Sequence, residues 1–448
     1  MTTPNGAIVF NASTGSDSAA SGLGPATAVT GSGASTDGTA VVTGITTTGV
    51  SAGDLLWVQT ASGRQFSIIA SVDSSTQVTC DGTFVLGSGQ TWAIGGKRAT
   101  WDNSDSRQLF LDAQPGYIIE TETDQTLTTS SLDTTGIDGT AYAPIVFRGD
   151  SATTQRVITQ TANAACIGQE TAYSYIVFEN LKFENSNGTK TSADGLVIRS
   201  AFCTIKNCTF GDATNTLRYG VSSRYDFNLY IVHDTVFQNM TGAAVWMNAG
   251  AGNRGCGFYN CTFKGNNSSS GSYCVEATNS SFMNCIFDSN SQSCILVRSR
   301  EFALPTIVNN VFYGSGAAGV IVDGSGDGGF LNISQNIFEG NGTYGISLTS
   351  ATNDDGRSID GNAFYNNTSG QVLNCSNDNA ITLTASPFTN AASADFTINE
   401  TSGGGADLRT TAVTLGSTET RPFRWLDTST GGGGASTPAA AVRHTRLK

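Results

Sequence analysis

Short apolar runs of four to six residues recur along the chain, with apolar and polar positions alternating inside each; Tyr175–Phe178 and Gly345–Leu348 are two of them. Each run ends in a cluster of Gly, Asn, Ser or Asp, which predicts a strand followed by a turn. One four-residue unit repeats, a polar or turn residue, two more, then Phe. It occurs at Asn180–Phe183, Asn207–Phe210, Asp234–Phe237, Asn260–Phe263, Asn284–Phe287, Asn309–Phe312, Gln335–Phe338 and Gly361–Phe364. The phenylalanines lie 27, 27, 26, 24, 25, 26 and 26 residues apart. A period of this length marks a repeat architecture.

Two more files keep step with the phenylalanines. Ile295, Val320, Ile346 and Val372 follow their Phe by eight residues, and Asn266, Asn290, Asn341 and Asn367 follow theirs by three. Of the 33 asparagines, 27 fall between positions 180 and 379. Asn tolerates left-handed backbone, and its amide can bond a stacked neighbour. About three short strands per period predict one coil of a parallel β-helix, with equivalent residues about 4.8 Å apart on adjacent coils. Phe then stacks on Phe inside, and Asn on Asn in a turn.

Composition agrees and narrows the functions. Charged residues make up 13% of the chain, about half the ~25% usual in soluble domains. With 53 Gly and 8 Pro, the composition argues against helical solenoids and coiled coils. The net charge of −13 and pI near 4.5 disfavour nucleic acid and anionic lipid as partners. No apolar run approaches the ~18–20 residues of a membrane helix, so no membrane insertion is expected. Two histidines, His233 and His444, leave little for histidine metal sites or Ser–His–Asp triads. Residues Met1 to Gly6 lack a basic and then apolar leader, so no Sec signal is expected.

On these repeats, residues 101–385 resemble the right-handed parallel β-helix superfamily, the pectate-lyase-like fold. The units at 260–263, 309–312, 335–338 and 361–364 carry the match. Leucine-rich repeats are the rival solenoid, but the Leu and helix content they need is missing. The opening, Ala7–Phe10, Gly15–Asp17 and Ser21–Pro25, with Gly95–Thr100, resembles the start of β-helix virion and tail-spike-type proteins of bacteriophages. The expected fold is all-β: a right-handed parallel β-helix solenoid with a small N-terminal β-barrel or sandwich and a C-terminal cap and tail. The expected segments are 1–30, an arm and helix start; 31–100, the small β-domain; 101–385, the helix; and 386–448, the cap and basic tail. Strands are expected at Gly53–Val58, Phe66–Val72 and Ser74–Thr79. Residues 421–448 hold five Lys and Arg against one acid, Asp427.

There are ten cysteines. Cys208, Cys261 and Cys285 stand two before Phe, where later coils have Asn310, Asn336 and Asn362; Cys274 and Cys294 precede the aligned Val275 and Ile295. The register reads them as buried, reduced thiols serving as small apolar residues. A Cys261–Cys285 disulfide stays open, because stacked Cα atoms fall within the permitted ~4.4–6.8 Å. The pairs Cys203/Cys208 and Cys256/Cys261 imitate a zinc ribbon, but each lies along one strand-and-turn unit.

The resemblance implies a choice between enzyme and scaffold. Enzymes of this fold work on polysaccharides, the lyases with Ca²⁺ held by carboxylates and an Arg or Lys base, the hydrolases with clustered Asp. The acidic candidates are Asp323, Asp327, Asp354 and Asp355. Asp327 is 15 residues after its Phe, and Asn353 and Asp354 are 15 and 16 after theirs, so adjacent coils bring them together. Asp327, Asn353 and Asp354 would suit Ca²⁺; no other cofactor is expected. Turn chemistry explains the same residues. Arg298 and Asp323 share a register position and predict a cross-coil ion pair. Trp246, Tyr259 and Tyr273 are candidates for a sugar-stacking surface.

The leading expectation is a non-enzymatic structural or adhesive virion protein, a tail fibre, spike or capsid decoration. It would meet host polysaccharide and other virion proteins or copies of itself, a trimer being the form many phage spikes take. The alternatives are a polysaccharide lyase or hydrolase spike, and an extracellular or cell-surface, filament-forming β-helix of a bacterium.

Overall fold

The computed structural model describes residues 6–422 apart from 11–28, 53, 61–62, 96, 99, 103–114, 129, 134–137, 152, 169–173, 199–200, 215, 224–229, 248–255, 267–272, 278–279, 299–304, 324–330, 350–356, 411 and 415–419. The chain winds into a parallel β-helix of three sheets. Sheet I has 12 strands and ends at Arg357–Asp360; sheet II has 11, from Gln125–Leu127 to Ile381–Thr382; sheet III has 10, from Leu132–Asp133 to Gly370–Leu373. Each coil visits I, II and III in turn, and its strands pair only with the coils before and after.

The repeated unit at the head of each sheet II strand now has a structural cause. Asn180, Asn207, Asp234, Asn260, Asn284, Asn309 and Gln335 all adopt left-handed backbone, with φ between 47° and 59°, and Gly361 follows at 60°. One such residue bends the chain from sheet I into sheet II. Asn and Asp tolerate this conformation better than other non-glycine residues.

Three residues on, the phenylalanines point inward and fall in backbone register from Phe183 to Phe364. Their ring centroids are 4.6–5.2 Å apart and the rings are within 18° of parallel. That spacing lies in the favourable range for offset stacking. Glycine makes room on the far wall: a Cβ on Gly220 or Gly345 would lie 2.6 Å from the ring of Phe237 or Phe364.

Two polar ladders run beside the rings. Asn266, Asn290, Asn341 and Asn367 donate Nδ2 to the carbonyls of Phe237, Phe263, Phe312 and Phe338 on the coil before. Their Oδ1 atoms accept the backbone N–H of Met240, Asn266, Ser315 and Asn341. The coil without Asn, at Ser315, closes the gap with its hydroxyl, 2.7 Å from Asn341 Oδ1. The second file stands two residues before Phe. Cys208, Cys261 and Cys285 place Sγ 3.5–3.6 Å from the carbonyls of Phe178, Val232 and Phe258 and 3.3–3.5 Å from those of Lys206, Tyr259 and Met283, one weak S–H between the two. Asn310, Asn336 and Asn362 donate Nδ2 to Phe282, Ile307 and Ile333 at 2.8–3.0 Å. All ten cysteines are free thiols, nine of them buried.

Strands Val29–Thr36 to Gly87–Gly95 close a six-stranded antiparallel barrel around Val42, Leu56, Val58, Ile69, Val78 and Trp92. The strands expected at Gly53–Val58 and Phe66–Val72 are Leu55–Thr60 and Gly63–Ser74. The one expected at Ser74–Thr79 is shorter, Gln77–Cys80, because Ser75 and Thr76 make the turn. The barrel is an insertion. Gly6–Phe10, before it, pairs in parallel with Tyr117–Thr121, after it, as part of sheet I. Trp57 and Ile68 of the barrel pack against the helix core.

Residues 383–448 form a separate unit. It contains the hairpin of Phe388–Asn390 and Asp395–Ile398, the short helix Gly405–Thr410, and the hairpin of Ala412–Thr414 and Thr420–Pro422. The basic tail beyond Pro422 lies outside the described residues.

Candidate functional site

Sheet III presents an aromatic platform. Strands Leu196–Ile198, Val221–Ser223 and Val245–Met247 lie side by side. Their first and last residues are buried; the central Val197 and Trp246 are half-buried, and Ser222 between them is buried, bonded to Asp194. The indole of Trp246 stacks on the ring of Tyr219, with centroids 5.6 Å apart and planes within 9°. The guanidinium of Arg218 covers the Tyr219 ring at 4.5 Å. Gly242 leaves the space for it, since a Cβ there would come within 2.7 Å of the Tyr219 ring.

Asp194 fixes this stack from below. Its side chain is 1% exposed. Arg218 Nε donates to Oδ1 at 2.8 Å and Nη2 to Oδ2 at 2.9 Å, a bidentate pair. Ser222 Oγ donates to Oδ2 at 2.8 Å, and Arg218 Nη1 donates to the Thr191 carbonyl. Burial pulls against the charge on Arg218, but its hydrogen bonds to Asp194 and the charge of that carboxylate outweigh it and hold the guanidinium pKa above its ordinary value. A planar fork held at both prongs has little freedom to turn. The result is a rigid cation–phenol–indole stack on a rigid sheet, with Tyr219 held between Arg218 and Trp246.

The other candidate residues are dispersed. Tyr259 is on the outer face of sheet I, its ring folded over Gly257. Tyr273 heads the sheet III strand Tyr273–Ala277, opposite Ser293. Trp246 and Tyr273 thus share a sheet while Tyr259 is on another, and the ring that Trp246 meets is Tyr219. Asp323 ends the strand Val320–Asp323 and accepts from Thr349 Oγ1 at 3.4 Å. Arg298 is its backbone register partner. The Arg298 side chain, Asp327, Asn353, Asp354 and Asp355 lie outside the described residues. Among the described residues no group of three or more His, Cys, Asp or Glu is placed to hold a metal ion.

Sequence reasoning misses Asp194, Arg218 and Tyr219. One signal was available: Tyr219 and Trp246 each follow their coil's Phe by nine residues. Backbone register does not pair them, because Trp246 lies beside Ser222; the rings meet by leaning across coils.

Residues 250–385 match the family model of the periplasmic copper-binding protein NosD. No curated protein sequence matches the chain. Among solved structures, the alginate lyase from Paenibacillus sp. str. FPU-7 is 14% identical, with 62% of this chain and 96% of that one covered and a TM-score of 0.49. Pectate lyase Pel9A is 12% identical, with 68% and 79% covered and a TM-score of 0.35. The Gp54 tailspike of Acinetobacter baumannii bacteriophage AP22, solved with a capsular saccharide, is 10% identical, with 82% and 65% covered and a TM-score of 0.27. The fold is carried by the chain's own strand pairing: three parallel sheets wound coil on coil make it a parallel β-helix.

Proposed function

We propose that the chain is a non-enzymatic carbohydrate-binding β-helix, a structural or adhesive protein of the tail-fibre, spike or capsid-decoration kind. It would act on the outside of a virion or cell, with a surface polysaccharide as ligand and other virion proteins or copies of itself as neighbours. The observation that carries this reading is the Tyr219–Trp246 stack held by Arg218 and Asp194. Aromatic side chains held on a pre-organised scaffold bind a ligand with little ordering cost. Asp194 has both oxygens occupied by donors, so its role in this site is support rather than proton transfer. The inserted barrel supplies a module for attachment.

The test is a glycan-binding screen of the full chain and Trp246→Ala, with reducing-end and unsaturated-sugar assays on every polysaccharide bound. Binding that falls about tenfold in Trp246→Ala, without product release, supports the reading. Product release abolished in Asp327→Asn would replace it with a lyase or hydrolase spike.

A further inference from the structure

We infer that Asn187 is a site of spontaneous deamidation, and that the fold spares the same tripeptide elsewhere in the chain. This is independent of what the chain binds. Asn–Gly–Thr occurs twice, at 187–189 and at 341–343. The reaction starts when the backbone nitrogen of the next residue attacks the asparagine Cγ. Glycine leaves that nitrogen unshielded at both places, so the surroundings decide. Asn187 lies in the turn after the sheet II strand Leu181–Asn185; it is half-buried, and Gly188 and Thr189 are exposed. The Thr189 N–H donates to Asn187 Oδ1 at 2.8 Å, which curls the carboxamide over the Gly188 peptide and draws electrons from Cγ. The Gly188 N–H meets no acceptor among the described residues, so hydroxide can take its proton. The leaving group is held by one bond, from Asn187 Nδ2 to the Thr161 carbonyl at 2.9 Å. Asn341 is fully buried. Its nucleophile is tied up, because the Gly342 N–H donates to the Ser315 carbonyl at 2.8 Å. Asn341 Nδ2 donates to Asn367 Oδ1 and the Phe312 carbonyl, and its Oδ1 accepts from the N–H and hydroxyl of Ser315. Attack there must wait for the ladder to open.

The step balances without an oxidant or reductant. The Gly188 nitrogen–Cγ bond forms, the Cγ–Nδ2 bond breaks, and Nδ2 leaves as ammonia with the proton that Gly188 gave up. Water then opens the five-membered imide to aspartate or isoaspartate. Either product puts a carboxylate where a donor stood, so the turn loses its tie to Thr161 on the coil before.

Peptide mapping by mass spectrometry, with isoaspartyl methyltransferase labelling, tests this on the full chain aged in mildly alkaline buffer, folded and in urea. In the folded chain the peptide bearing residue 187 is expected to gain about 1 Da and take the label. It should do so at least about tenfold faster than the peptide bearing residue 341. In urea the two should convert at similar rates, because the tripeptide is the same. A Cβ on Gly188 would meet nothing within 4 Å, and its φ lies outside the left-handed region, so Gly188→Ala should fold. It is expected to slow conversion at 187 at least about threefold and leave Asn341 unchanged. Asn187 as slow as Asn341 in the folded chain, with both converting in urea, would overturn the site. Equally fast conversion of both in the folded chain would overturn the protection, and an unchanged rate in Gly188→Ala would overturn attack by that nitrogen.

Discussion

Along one file of the β-helix the middle coils carry thiols and the late coils carry amides. Both kinds of side chain reach the same place, a carbonyl in the sheet I strand of the preceding coil. They differ in what they return. Each amide also accepts: Asn336 Oδ1 takes the N–H and the Nδ2 of Asn310, and Asn362 Oδ1 takes both from Asn336. The chain of bonds therefore runs through successive coils and can reinforce itself. A thiol is a weak donor and a poor acceptor, so the cysteine coils are held at this position by packing. Where the two meet, Asn310 serves the Cys285 N–H at 2.8 Å; within the thiol region Cys208 N–H finds only Thr235 Oγ1 at 3.4 Å. A buried stack can thus be built from fill or from bonds, and the two should fail differently.

Alkali should separate them most. Burial pushes the thiols of Cys166, Cys208, Cys256 and Cys294 up to about 12, and raises those of Cys203, Cys274 and Cys285 too, from an ordinary value of 9.0. Between those limits the unfolded chain binds fewer protons than the folded one. Their contribution is therefore complete below about pH 9 and is lost as pH rises toward 12. Each thiol should cost up to about 1.4 kcal/mol per pH unit in that window, so several together make this the largest effect. Urea midpoints at pH 8 and 10 measure it. The loss should shrink with each of Cys208→Ala and Cys285→Ala and be unchanged by Asn336→Ala; a loss indifferent to the cysteine replacements would remove the thiols as its cause.

At neutral pH the order reverses. Asn336→Ala orphans the N–H of Asn310, removes one of the two acceptors of its Nδ2 and uncovers the Ile307 carbonyl. At about 1–3 kcal/mol for each buried group left unpaired, about 3–6 kcal/mol should be lost. Cys285→Ala removes one sulfur and a weak bond, and should cost about 1–2 kcal/mol. Denaturant unfolding of both variants at pH 7 decides between fill and bonds; equal losses would mean that packing governs both regions.

What was legible in the sequence follows from the same physics. A coil stacked on itself forces like residues to recur, so the phenylalanines, the Asn ladder and the buried thiols could be read from spacing. The left-handed turn left its mark in the same way, as Asn180 to Gly361. The platform is built from contacts without a period. Tyr219 and Trp246 share a count of nine from their Phe, but eleven residues separate Phe210 from Val221 and eight separate Phe237 from Val245, so that count does not put the two in backbone register. The Asp194–Arg218 pair occurs once, and a single event leaves no repeat to detect. Tyr259 lies between Trp246 and Tyr273 along the chain, but the coil assigns residues four before and nine after a Phe to different sheets.

The strand Gly6–Phe10 has a consequence in time. Later strands of sheet I wait for a partner about one coil away, but Gly6 and Tyr117 are 111 residues apart. Closing so wide a loop is slow compared with adding a neighbouring coil. During synthesis this strand emerges long before the coil that receives it, and the whole barrel must be made in between. The coils can grow in chain order, each on the last, but the end of sheet I beside the barrel stays an open edge until a strand that was made early is brought back to it.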